Sequence, residues 1–251
     1  MFQFLKNKFS VVLLLLLPFV FLNASAADSS NLASDAISAV SDQTIAGPIE
    51  IIFFITLLSL APSILIITSA FTRIIIVLSL LRQALGLQQT PPNAVLISLA
   101  IFLSFFAMRG VYTEVYEQAY QPYKSGELSF DGAIVEAQKP IKEFMIHQTR
   151  ESDLKLIYEL KAESLPTSIE QVNIFDLAPA FLLSELFTAF QIGFIIFLPF
   201  LLIDIIVSSL LMSMGMMMVP PMMMSLPIKL LIFILIDGWA LIARSLLGSF
   251  T

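Results

Sequence analysis

Apolar residues run along this chain in long blocks. A short block from Phe9 to Leu22 precedes a polar, small-residue stretch from Asp28 to Gly47. Four long apolar stretches follow: Ile49 to Ile67, Ala94 to Met108, Leu186 to Leu211 and Leu226 to Leu247, with Ala70 to Leu81 extending the first. Each can form a helix in lipid or in a buried bundle. Between the second and third, the spacing of Ile134, Ile141 and Met145, and of Leu154, Ile157 and Leu160, predicts helices with one apolar face; Pro140 suits a first helical turn. Thr167-Ser168-Ile169-Glu170 has capping-box spacing and marks a further helix start. Pro62 interrupts the first stretch and Pro199 the third, and the run from Ile49 to Leu81 exceeds one bilayer, so bent helices packed on protein are expected. The fold class read from this pattern is an all-α membrane protein of kinked helical hairpins with a helical segment outside the bilayer.

Composition agrees with that class. The chain is 58% hydrophobic and 13% charged, with mean hydropathy +0.91, too oily for 251 residues to hide in one water-soluble core. It has no Cys and a single His, His147, so no disulfide framework, thiolate metal site or Cys nucleophile can be built. The net charge of -6 falls to -8 without Lys6 and Lys8, which argues against a nucleic-acid partner.

Lys6 and Lys8, the apolar run to Leu22 and Ala24-Ser25-Ala26 read as a secretory signal with its cleavage site; the run is shorter than the roughly 20 residues a span needs. Residues 1–26 are then a cleaved signal peptide and 27–48 a mobile periplasmic segment. Residues 49–108 form a first apolar helix pair with a cytoplasm-side loop at 73–93. That loop holds Arg73 and Arg82 and no acid. Residues 109–177 form a helical periplasmic segment with seven Lys/Arg against twelve Asp/Glu, and 178–251 a second pair around a Met-rich loop, 212–225.

The strongest anomaly lies in that loop, where Met212, Met214, Met216, Met217, Met218, Met222, Met223 and Met224 gather eight of the eleven Met. Pliable apolar thioethers can close against ions yet part around polypeptides of varied sequence, as a hydrophobic gate requires, although an ordinary apolar hairpin tip has the same composition. A copper(I) site is a third chemistry open to thioethers, but contiguous Met point in different directions and no Cys or His accompanies them. Glu185, Asp204, Lys229 and Asp237 interrupt the last two apolar stretches, where an ionisable group costs roughly 2.5–3.5 kcal/mol unless paired or hydrated. Hairpin register about Val219 sets Lys229 beside Ser209, so pairing within one hairpin is imperfect; Asp204 and Lys229 are expected either to pair between neighbouring subunits or to snorkel and bond to backbone separately. A proton or ion pathway through these acids is the other reading. His147 lies in a charged amphipathic segment, and neither a phosphate loop nor a metal-ligand cluster accompanies it.

Several blocks resemble the FliP/SctR family of flagellar and type III secretion export-apparatus proteins. They are Thr72 to Ser79 with Arg82 to Gly86, Gln89-Thr90-Pro91-Pro92-Asn93, Pro179 to Leu186 with Ala189 to Phe194, Gly215 to Pro221 with Leu226-Pro227, and Asp237-Gly238-Trp239. The resemblance covers about Ile49 to Leu247, and the cleavable signal favours the flagellar branch. It implies a non-enzymatic, cofactor-free pore subunit of the bacterial inner membrane and flagellar basal body. Five copies would join FliR and FliQ in a helical ring, contact FlhB and FlhA, and pass unfolded flagellar subunits. Met216, Met217 and Met218 match the family's methionine gate; Met214, Met222, Met223 and Met224 are candidates to join it. Glu185 falls in a signature helix where the family places an assembly contact. The resemblance further implies a core raised largely out of the bilayer. A small-ion channel or proton-coupled transporter using Asp204 and Lys229 is the alternative function.

Overall fold

The computed structural model describes residues 55–56, 59–60, 63–64, 66–166, 168, 171–216 and 219–250. The expected signal at 1–26, the segment at 27–48, Pro62, most of the expected capping box and both Met217 and Met218 lie outside the described residues. The chain divides into two units, Met1–Leu65 and Ile66–Thr251; the first contributes only helical residues at 55–56, 59–60 and 63–64. Among the described residues the second unit contains helices and connecting turns and no strand.

Helix α1 (Phe71–Ala84) buries Arg73, Ile74, Val77, Leu78, Leu81 and Ala84, a stripe at helical spacing. It ends in a Schellman motif: Gly86 takes φ 78 and donates to the Gln83 carbonyl, and the Leu87 N–H donates to that of Arg82. Most of the expected loop at 73–93 is therefore helix, and the turn itself is Leu85–Pro92. The apolar extension of the first stretch continues through Arg73 because that residue has buried acceptors inside the bundle.

Helix α2 (Asn93–Ala107) meets α3 (Arg109–Val115) at Met108; the axes of α2 and of the helical run Arg109–Ser125 differ by 61°. A π-helical turn (Tyr116–Tyr120) leads into α4 (Gln121–Ser125), which Gly126 closes at φ 82. Helix α5 (Phe130–Gln148) is capped by Ser129, whose Oγ accepts from Gly132 N. Pro140 lies inside α5 and not in its first turn, because Ser129 starts the helix about three turns earlier. Helix α6 (Glu151–Leu160) follows. Met145 is buried and Ile141 and Leu154 pack beside it, but Ile134 is exposed and Leu160 in the last turn is 76% exposed. The predicted face holds around the α5/α6 corner, where the apolar residues pack on Leu177 and Phe181 of the next helix.

Helix α7 (Ile174–Ser213) is capped by Asn173, which accepts from Phe175 N, and is continuous through Pro179 and Pro199. The expected interruption at Pro199 does not occur: a proline removes one i to i−4 bond, and the rest of a 40-residue ladder holds the helix together. At 1.5 Å per residue α7 is about 60 Å long, roughly twice a bilayer's hydrocarbon thickness. It is also the one helix among the described residues that by itself is long and apolar enough to cross a membrane. Helix α8 (Pro221–Leu235) and α9 (Gly238–Gly248) divide the last apolar stretch with a 66° bend at Asp237, whose φ is 50. Leu226 to Leu247 is thus two helices, since a left-handed residue cannot continue an α-helix.

The main core joins α1, α2, α7, α8 and α9 around Ile74, Val77, Leu81, Ala100, Ala189 and Phe233. A smaller cluster, Met145, Val172, Leu177 and Phe181, seats α5 on the first third of α7.

Candidate functional site

Three polar or soft features sit along α7, and each is built from a different pair of elements. The first is a buried arginine. Arg73, 2% exposed, donates from Nε to Glu185 Oε2 at 2.9 Å and from Nη2 to Glu185 Oε1, forming a two-point pair with a carboxylate that is itself 0% exposed. Nη2 also donates to Gln148 Oε1 at 2.9 Å, and Nη1 donates to Ser249 O at 2.8 Å and Ser249 Oγ at 3.1 Å. The Phe250 ring covers the guanidinium, its centroid 4.0 Å from Cζ. One side chain thereby ties α1, the end of α5, α7 and the residues after α9 together. A charged pair this deep is tolerated because every guanidinium donor is used. Both Glu185 oxygens are thus engaged inside the chain, so its contact is with α1 and not through a carboxylate offered to a neighbour.

About 28 Å further along α7, taking 1.5 Å per residue, lies the second feature. Lys229 Nζ donates to Asp204 Oδ2 at 2.6 Å and to the Ala84 carbonyl at 3.0 Å, and Ser225 Oγ donates to Asp204 Oδ1 at 2.6 Å. The expected pairing between subunits gives way to a pair within one chain. The long helix ends at Ser213 and α8 starts at Pro221, so the midpoint of the hairpin falls about two residues before Val219, and that shift in register brings Lys229 to Asp204. Lys229 also satisfies an end carbonyl of α1, where a cation is favourable.

The third feature is the methionine hairpin tip. Gly215 ends α7 and Pro220-Pro221 begins α8, proline being suited to a first helical position. The loop is shorter than 212–225: Met214 and Met216 lie on it, Met212 ends α7, and Met222, Met223 and Met224 open α8. All six are exposed, between 41% and 72%. Asp204 and Lys229 join α7 to α8 on the bundle side of this exposed tip.

A separate cluster docks α6 on α7. Arg150 donates to both oxygens of Asp153 at 2.8 Å, Ser184 Oγ donates to Asp153 Oδ2 at 2.6 Å, and Arg150 N donates to Ser184 Oγ at 2.9 Å. Burial works against the Asp153 charge, but the hydrogen bonds from Arg150 and Ser184 and the Arg150 charge outweigh it and hold the carboxyl below its ordinary range. His147 is exposed, 3.8 Å from Glu143. Among the described residues no group of three or more His, Cys, Asp or Glu is placed to hold a metal ion.

Sequence reasoning singled out Glu185, Asp204, Lys229 and the methionines but missed Arg73, Gln148 and Asp153. An arginine inside an otherwise apolar run was the available signal for Arg73.

Comparison with known proteins adds a second line of evidence. The model of the FliP family matches residues 54–246. The flagellar biosynthetic protein FliP of Bacillus subtilis (strain 168) is 49% identical over 208 residues, covering 83% of this chain and 94% of that protein. That of Pectobacterium carotovorum subsp. carotovorum is 49% identical over 202 residues, 80% of this chain and 78% of that protein. The FliP of Treponema pallidum (strain Nichols) is 42% identical over 211 residues, 83% of this chain and 78% of that protein.

Proposed function

The chain belongs to the FliP family, and from that premise we propose that it is a core subunit of the flagellar protein-export pore in the bacterial inner membrane. Its role is flagellar biosynthesis without catalysis. Copies of the chain, five in the arrangement its family resemblance implies, form a ring with FliR and FliQ. FlhB and FlhA contact that ring, and unfolded flagellar subunits pass through it.

The exposed methionine tip carries this reading. Flexible thioethers held on a two-proline turn can seal against hydrated ions and still yield to a passing chain. Met216, Met217 and Met218 form the seal, with Met214, Met222, Met223 and Met224 as its flanks. Asp204 and Lys229 hold the base of the hairpin against α1, so the tip moves as a unit on a fixed support. An ion-transport reading of that pair draws less support, since its charges are spent on each other, on Ser225 and on Ala84.

Replacing Met216, Met217 and Met218 together with Ala is expected to raise ion leak through the assembled pore. Unchanged conductance in an intact particle sinks the gate. Membership of the ring is tested separately: co-expressed with candidate FliQ and FliR, the chain should leave mild detergent as a multi-copy complex on native mass spectrometry, and a lone monomer would count against the pore.

A further inference from the structure

Arg82 stands apart from the other cations that the fold orders. Arg73, Arg150, Lys161 and Lys229 each rest on a carboxylate. Arg82 Nη1 instead reaches two neutral acceptors, Pro91 O at 3.2 Å and Asn93 Oδ1 at 2.7 Å, and its Nε is buried with no hydrogen-bond partner. Among the described residues no carboxylate pairs with it, and the sequence has no Asp or Glu between Glu50 and Glu114. Asp204, brought to this end of α1 by the bond from Lys229 to Ala84, is already neutralised.

Beside this guanidinium the Leu85–Pro92 turn leaves an open cavity of about 280 Å³ lined by Arg82, Gln88, Gln89 and Asn93. Its lining offers one positive charge and three carboxamides, and no negative group. With its Oδ1 occupied by Arg82, Asn93 has its amide N–H₂ left to donate. Arginine with surrounding amide donors is a good match for phosphate, whose oxygens accept several charge-assisted bonds at once. The cavity also lies where α2 begins, and α2 presents Val95, Phe102 and Phe106 on an exposed apolar flank. A polar cavity at the end of an apolar surface is where lipid headgroups sit.

We propose that the cavity formed by Arg82, Gln88, Gln89 and Asn93 binds a phosphate group, supplied by an anionic phospholipid headgroup or by free phosphate. The bound anion supplies the missing counter-charge of Arg82 and pins the turn between α1 and α2.

The test is native mass spectrometry of the full chain in mild detergent, titrated with phosphatidylglycerol or with phosphatidylcholine, beside thermal unfolding with and without inorganic phosphate at fixed ionic strength. Gln89→Glu places a carboxylate in the cavity and leaves the Arg82 bonds to Pro91 and Asn93 in place. Gln83→Glu adds the same charge on the exposed face of α1, outside the cavity. A charge-assisted bond corresponds to about a tenfold change in affinity or more, so wild type and Q83E should retain about tenfold more phosphatidylglycerol than Q89E. If inorganic phosphate alone raises the melting temperature of wild type and Q83E but not of Q89E, the source is free phosphate and the site stands. Equal lipid retention by all three chains with no phosphate effect overturns it. Should Q89E fail to fold, Q88E carries the same comparison.

Discussion

At Arg73 one guanidinium makes five hydrogen bonds to three residues, and removing any partner leaves the others to hold a buried charge. Glu185→Ala should therefore destabilise the chain by about 3–5 kcal/mol, the range for breaking a buried pair from one side. The double change Arg73→Met with Glu185→Leu should restore most of that loss, because two apolar side chains leave no stranded charge. Thermal unfolding in one detergent checks both, and a double variant no better than the single one would mean that Gln148 and Ser249 matter more than the pair. Asp153 gives a pH signature. Its folded pKa lies below the unfolded one, so its stabilisation is fully present above the unfolded value and disappears as pH falls through the folded value. Asp153→Asn should flatten that acid limb, seen as loss of hydrogen-exchange protection around α6 in wild type only. Asp204 and Lys229 were legible at this scale because a charge in an apolar run demands a partner. The Arg73 to Glu185 pair was not, since 112 residues separate them and either could have met another chain.

The helices are held at crossings that tolerate little extra volume. Gly193 of α7 faces α1, where an added Cβ would lie 2.2 Å from Leu80 Cδ1 and 3.3 Å from Leu80 Cβ. The Cδ1 can swing away but the Cβ is fixed to the α1 backbone, so the helices must part. Gly193→Val should lower stability by about 1–3 kcal/mol, and Gly193→Ala by less. Pairing either with Leu80→Ala should recover the loss, a coupling that thermal unfolding can read as a double-mutant cycle. Apolar blocks located the regions of α2, α7, α8 and α9, because burial and lipid both select the same residues. Their ends were less visible. Pro199 and Pro140 lie inside helices that tertiary packing sustains, whereas the break falls at Asp237-Gly238, a turn-forming pair that the apolar residues on both sides outweighed in the reading of one stretch. The Schellman stop at Gly86 carries a sequence signature, yet Arg73 and Arg82, with no acid nearby, marked 73–93 as a cytoplasm-side loop even though Ala70 to Leu81 read as apolar.

Taken as a whole molecule, the chain leaves much of its longest helix uncovered. Only 17% of the most apolar window of α7 is buried, and Phe187, Phe190, Phe194, Leu198 and Leu201 stand exposed along it. With about 60 Å of helix against a hydrocarbon layer near 30 Å, lipid alone cannot cover all of α7 in an upright arrangement. Its first third is already engaged by polar helices, through Asp153 to Ser184 and through Lys161 to Asp176 at 2.9 Å. The remaining apolar flank needs either acyl chains or other subunits, and the proposed ring supplies the second. A single tryptophan at position 194 distinguishes them. In a Trp239→Phe background, which removes the only Trp of the chain, Phe194→Trp replaces a ring that is 65% exposed. Brominated lipid should quench its fluorescence strongly in the lone chain, since the flank then has only acyl chains against it. Co-assembly with the partner subunits should remove most of that quenching while leaving the helical signal unchanged. Quenching that persists in a verified multi-copy particle would place this flank of α7 against lipid, and the ring contacts would have to run through α2, α8 or the methionine tip instead.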